Sequence, residues 1–397
     1  MSDSRRQLLT LFWVFLRLGL TSFGGPVAHL GYFRDEFVRR RGWMSDADYS
    51  GLVALCQFLP GPASSQVVIG IGLQRGGVAG AVAASLGFTL PSLLLMIGAG
   101  FGLLVFAGQG EASWIHALKV VAAAVVAQAI WAMAKTLCPD RLRAGLALAS
   151  AAALLLYPGT LTQLLVIGCG ALVGWRLCAA GEAGDQSLSK GSTGPATALA
   201  LLALFAVLLI LAVALSSPDG GALALFSAMY QTGALVFGGG HVVLPLLEAE
   251  AVQTGWVDRD VFLAGYGIAQ ALPGPLFTFA GYLGVVQAPS PNGLAGGLLA
   301  ATAIFLPSFL LVFGVMPFWQ SLRRNAAMRS ALAGINAAVV GLLVAVLFDP
   351  ILPSAIQGAR DAAFGLIAFG LLAVWKWPAW LVVCGAGALA LVVEHLV

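Results

Sequence analysis

Apolar and polar positions along this chain fall into long blocks, not into the short periods of strands or surface helices. Apolar runs occupy 8–22, 25–38, 47–59, 61–74, 77–105, 113–135, 143–157, 160–178 and 196–216. A second series follows at 222–237, 241–252, 260–272, 274–287, 293–317, 328–348, 360–375 and 378–396. Crossing a bilayer takes about 20 apolar residues, so the longer runs predict transmembrane helices. The four runs that open each series are too short singly. Each pair of them is divided by a Gly-rich or a Pro-Gly-Pro break. With every broken pair counted once, the pattern predicts an all-α integral membrane protein of about 13 hydrophobic segments.

The two series are one pattern written twice. The first reads Phe23-Gly24-Gly25-Pro26, His29, Gly42-Trp43, Gln57-Phe58-Leu59-Pro60-Gly61-Pro62 and Leu90-Pro91-Ser92. The second reads Phe237-Gly238-Gly239-Gly240-His241, Gly255-Trp256, Gln270-Ala271-Leu272-Pro273-Gly274-Pro275 and Leu306-Pro307-Ser308. Paired broken helices in a duplicated membrane protein point to a transport site. The polar stretch 181–194 separates the copies, giving an N-terminal repeat at 1–180, a linker and spacer helix at 181–216, and a C-terminal repeat at 217–397. The helix at 196–216 has no counterpart, so it can turn one copy upside down relative to the other.

The basic residues support inverted copies. If each opening pair dips in and returns as a re-entrant hairpin, Arg5, Arg6, Arg34, Arg39, Arg40, Arg41 and Arg75 share one side, which the positive-inside rule makes cytoplasmic. The matching loops of the second copy hold Glu248, Glu250, Asp258 and Asp260 but only Arg259, as expected outside. The first apolar run, which lacks a small-residue cleavage site, is expected to stay uncleaved. The N-terminus is then cytoplasmic and the C-terminus external.

Composition agrees. The chain is 60% hydrophobic and 9% charged, far too few charges to clothe a water-facing surface. A formal net charge of +3 gives no footprint for nucleic acid. Five cysteines show no metal or redox spacing and are expected to pack as small apolar residues. No nucleophile–base, paired-carboxylate or metal-ligand motif appears, so no catalytic residue, metal or cofactor is expected.

Helix starts leave backbone N–H groups unpaired and carry partial positive charge. Several converging starts make an anion site with few charged side chains. Candidate binding positions are therefore Gly24, Gly25, Pro26, Pro60, Gly61, Pro62, Gly238, Gly239, Gly240, Pro273, Gly274 and Pro275, with Gln57, Gln270 and Ser64 as side-chain donors. Arg17, inside the first apolar run, either grips an anion with its forked guanidinium or snorkels to the interface. His29, His241, Asp35 and Glu248 are candidates for carrying a coupled proton, and the histidines serve equally as packing groups. Arg34 to Arg41 with Asp35 and Glu36 reads as a solvated helix face. Trp131, Trp175, Trp375, Trp377 and Trp380 read as interfacial anchors, and Lys119 as an interfacial lysine.

Taken together, the motifs from Phe23-Gly24-Gly25-Pro26-Val27-Ala28-His29 to Ile304-Phe305-Leu306-Pro307-Ser308 resemble the chromate ion transporter family in its long two-domain form. The resemblance implies a multi-pass protein of the bacterial inner membrane that exports chromate, driven by the proton-motive force, and so confers resistance. It also implies sulfate, another tetrahedral dianion, as a competitor. Uptake of sulfate or another oxyanion, or a channel, are the alternative readings, and a homodimer is left open.

Overall fold

The computed structural model describes residues 3–23, 25–106, 113–178, 194–215, 220–237, 243–319, 322 and 325–396. Among these every regular element is helical. The broken runs of the first copy become α1 (Asp3–Thr21), α2 (Gly25–Arg34), α3 (Asp46–Phe58) and α4 (Ala63–Phe106). Those of the second become α9 (Ala222–Leu235), α10 (Val243–Ala251), α11 (Arg259–Ala271), a short 3-10 turn and α12 (Phe279–Val286), then α13 (Gly293–Val315). The runs at 61–74 and 77–105 are joined in α4, bent where Gly76 and Gly77 leave helical φ/ψ and Gly77 takes φ +61°. Between the breaks lie α5 (Ser113–Leu137), α6 (Arg141–Leu156), α7 (Thr160–Leu177) and α8 (Pro195–Ala214). The chain continues through α14 (Ala326–Val346), the short α15 (Leu352–Ala355), α16 (Ala359–Ala373) and α17 (Ala379–Leu396).

Local chemistry sets the helix starts. Ser45 caps α3 by accepting from the Asp48 N–H, and Asp258 caps α11 through the Asp260 N–H. These caps are equivalent in the two copies. Asp140 and Asn325 do the same for α6 and α14. Five helices among the described residues are long and apolar enough to span a membrane: 63–105, 116–137, 195–214, 293–318 and 326–355. The apolar α8 turns Leu199, Val207 and Ile210 outward, a surface that suits lipid and not water.

Glycines let the helix backbones touch. A methyl group at Gly19 would lie 2.5 Å from the Phe88 carbonyl oxygen, which fixes α1 against α4. At the equivalent contact, Gly233 of α9 abuts the Ile304 carbonyl of α13. The copies thus share a packing geometry as well as a sequence pattern. Small residues at such crossings are how membrane helices gain close contact. Gly233→Ala is expected to destabilise the protein by about 1–3 kcal/mol, read as a lower unfolding temperature in detergent. Gly98→Ala, where nothing lies within 4 Å, should leave that temperature unchanged.

Two sequence expectations are corrected. Lys119 is not an interfacial lysine; it is 3% exposed, and its Nζ lies 2.9 Å from Asp260. The reason is that α5 runs through the bundle, with Ala117 to Val126 buried on all sides. Glu36 is not on a solvated face either. A π-helical turn at Asp35–Arg40 carries an extra residue per turn and rotates Glu36 and Phe37 inward.

Candidate functional site

The first break opens where α1 ends at Thr21 and α2 starts at Gly25, which takes φ +76°. His29 of α2 is 1% exposed, and its Nε2 lies 3.0 Å from the Ser22 carbonyl, tying the new helix back to the break. A neutral imidazole with Nε2–H donating leaves Nδ1 as an acceptor, and Nδ1 is buried with no partner. At the second break Gly61 takes φ +118° between Pro60 and Pro62, and Gln66 Nε2 donates to the Pro60 carbonyl at 2.6 Å. The counterpart Gly274 takes φ +99° between Pro273 and Pro275, and Thr278 Oγ1 donates to the Pro275 carbonyl at 2.8 Å.

These breaks do not pair within their own copies. They pair across. The Gly274 N–H donates to the Ser22 carbonyl at 2.9 Å, and the Gly61 N–H donates to the Val236 carbonyl at 2.6 Å. Each Pro-Gly-Pro turn of one copy therefore closes on the Phe-Gly break of the other, and the two bonds join equivalent positions. The Leu-Pro-Ser kinks follow the same rule. A methyl group at Gly274 would lie 2.8 Å from Ser92 Oγ, and one at Gly61 would lie 3.0 Å from Ser308 Oγ. Two equivalent junctions result, each joining the Pro-Gly-Pro turn of one copy to the break and the Leu-Pro-Ser kink of the other.

The breaks, the turns and the helices that flank them hold polar atoms that nothing satisfies among the described residues. Ser22 Oγ, Ser65 Oγ, Gln66 Oε1, Gln231 Oε1, Thr232 Oγ1, Gln270 Nε2 and Ser308 Oγ are buried without a hydrogen-bond partner. An unsatisfied buried polar atom costs about 1–3 kcal/mol, so a concentration of them marks a place built for something else to complete. Ser64 is buried beside them, whereas Gln57 is exposed.

A cavity of about 450 Å³ reaches the Gly274 junction. Gly25, Gln270 and Gly274 line it together with Gln128, Trp131, Lys135, Lys376, Trp377 and several apolar side chains. Nothing in the repeat marks the two lysines, which lie on α5 and in the α16–α17 loop. A second cavity, of about 340 Å³, has the opposite character: Glu248 and Asp349 line it with Arg259, Gln163 and Gln253. Glu248 is 3% exposed and accepts from Gln253 Nε2 at 2.9 Å.

Arg17 lies at neither wall. Its guanidinium is 2.6 Å from Glu36 Oε2, which Arg40 also approaches at 3.3 Å, while Arg41 Nε donates to Oε1 at 2.6 Å. Burial alone pushes the Glu36 carboxyl up. The Arg41 hydrogen bond and the charges of Arg17, Arg41 and Arg40 outweigh it and hold the group below its ordinary value of 4.5. Asp35, aligned with Glu248 by sequence, points outward to Arg39 at 2.7 Å. In burial, and in a partner five residues on, Glu36 is the closer match to Glu248. Gly24, Gly238, Gly239, Gly240 and His241 lie outside the described residues.

Interrupted membrane helices from two equivalent copies, meeting around unpaired hydrogen-bonding groups, define a multi-pass helical protein of the transporter class. The chain belongs to the chromate transporter family, whose sequence profile matches residues 9–175 and 223–391, one copy each. It is 28% identical over 370 residues to a chromate transport protein of Pseudomonas aeruginosa, covering 92% of this chain and 87% of that one. A chromate transport protein of Cupriavidus metallidurans is 29% identical over 397 residues, covering 98% and 94%. An uncharacterized transporter of Methanocaldococcus jannaschii is 27% identical over 347 residues, covering 85% and 83%. No solved structure matches the chain.

Proposed function

We propose that this chain is a secondary active transporter that exports chromate from the bacterial cytoplasm, coupled to the proton-motive force, and thereby confers chromate resistance. The observation that carries the reading is the exchange of backbone hydrogen bonds between Gly61 and Val236 and between Gly274 and Ser22. A dianion entering a bilayer must trade its water for fixed donors. The four breaks supply backbone N–H groups and partial helix charge, and Ser22, Ser65, Thr232, Ser308 and Gln270 supply unused side-chain donors. The two copies lie in opposite orientations, with the N-terminus cytoplasmic and the C-terminus periplasmic. Rocking of one copy against the other opens the junctions alternately to each side. His29, through its free Nδ1, and Glu248 carry the coupled proton, with His241 as the counterpart of His29. Sulfate, alike in charge and shape, competes.

Purified protein in liposomes tests this. Chromate should move when a pH gradient is imposed, slow when the gradient is collapsed, and be inhibited by sulfate. Flux indifferent to any ion gradient would indicate a channel, and gradient-driven flux of sulfate inward would indicate an uptake permease.

A further inference from the structure

We propose that Lys135 and Lys376 form a dianion-binding vestibule, the first station of the path to the broken helices. The inference rests on the transport reading only for the purpose of the vestibule, not for its binding chemistry. Both lysines line the 450 Å³ cavity together with Gly25, Gln270 and Gly274. No lining residue is acidic, and neither lysine has a carboxylate partner among the described residues. Two uncompensated positive charges therefore face one cavity, the number that neutralises a tetrahedral dianion. Low-dielectric walls around a single sign of charge concentrate ions of the other sign.

Two details show the lysines being held in place. Lys135 Nζ sits 4.5 Å from the centroid of the Trp131 ring, a cation–π contact that positions an ammonium without neutralising it. Lys376 has φ +56°, the one non-glycine residue with positive φ among those described. It follows α16, and the Trp377 N–H returns to the Leu371 carbonyl at 2.9 Å, so Lys376 occupies the left-handed helix-ending position that glycine fills most easily. From that position its exposed side chain lines the cavity. Gln128 and Gln270 add amide donors, and Gln270 Nε2 has no other partner.

Chromate and sulfate binding to the purified full chain in detergent, measured by equilibrium dialysis, tests the vestibule apart from flux. The double variant Lys135→Ala/Lys376→Ala should bind both ions about tenfold more weakly or worse. It should elute and melt like the parent protein, and its residual binding should lose most of its dependence on ionic strength. Lys135→Arg/Lys376→Arg should restore affinity, which a purely packing role would not allow. In liposomes the alanine pair should raise the KM for chromate and leave the maximal rate within about twofold. Unchanged affinity in the well-folded alanine pair overturns the vestibule. Lysine-dependent binding in a protein that moves no chromate would uphold the vestibule and overturn the transport reading.

Discussion

Gly274→Ala is expected to reduce chromate flux at least about tenfold while the protein remains in the membrane. Two costs combine at this position. The φ of +99° is one that alanine adopts only with strain, worth about 1–2 kcal/mol. The added methyl group would also stand 2.8 Å from Ser92 Oγ, so either the kink of α4 or the turn must shift. A shift breaks the Gly274 N–H to Ser22 carbonyl bond, one of the contacts that join the copies. Gly61→Ala should behave alike, because its φ of +118° and its Ser308 neighbour repeat the arrangement. Gly42→Ala is the informative contrast. Its φ of +58° carries similar backbone strain, but nothing lies within 4 Å of the added methyl group. Flux through Gly42→Ala should stay within about threefold of the parent, measured in the same liposomes.

The second large effect is expected at Glu36. Three arginines converge on one buried carboxylate, and this cluster fastens α1 to the π-helical turn that follows α2. Glu36→Gln leaves the guanidinium groups without their counter-charge and should lower stability by about 1–3 kcal/mol. Chromate flux should fall with it, since α1 and α2 flank the first break. Arg17→Ala leaves Arg40 and Arg41 on Glu36, so it should cost less stability while still weakening flux through the loosened α1. The cluster also predicts a pH dependence. Because the folded-state carboxyl titrates below its ordinary 4.5, its stabilisation is complete above that value and disappears as pH falls through the lower folded value. The parent should therefore lose more unfolding temperature between pH 6 and pH 3 than Glu36→Gln does, a difference thermal unfolding in detergent can follow.

Much of this architecture can be read in the chain before any coordinates. The breaks at Gly25, Gly61 and Gly274 fall where the Gly and Pro spacing puts them, because few residues other than glycine reach positive φ easily. Helix ends follow from the same punctuation together with caps such as Ser45 and Asp258. What a repeat cannot state is which equivalent parts become neighbours. Ser22 pairs with Gly274, not with Gly61, and only the folded chain decides this. Glu36 was illegible for a different reason. Its run of charges looks solvated unless the π-helical turn, which has no simple sequence signal, is known. Lys135 and Lys376 lie outside the duplicated motifs, so the periodicity that exposed the breaks passes over them. Arg17, the more visible charge, is engaged by Glu36.

The central claim is that each Pro-Gly-Pro turn sits on the opposite copy's Phe-Gly break. Cysteine pairs placed at Ser22 with Pro275, and at Val236 with Pro62, test it in native membranes once Cys56, Cys138, Cys169, Cys178 and Cys384 have been replaced. A protease site in the 181–194 linker lets the copies separate on a denaturing gel unless a bond holds them. Oxidation should keep both pairs together after cleavage, as it should for a control pair at Gly100 and Val285, where a Cβ added at Gly100 would lie 3.0 Å from that of Val285 across the copies. If the control holds and both break pairs fall apart, the breaks do not meet as described.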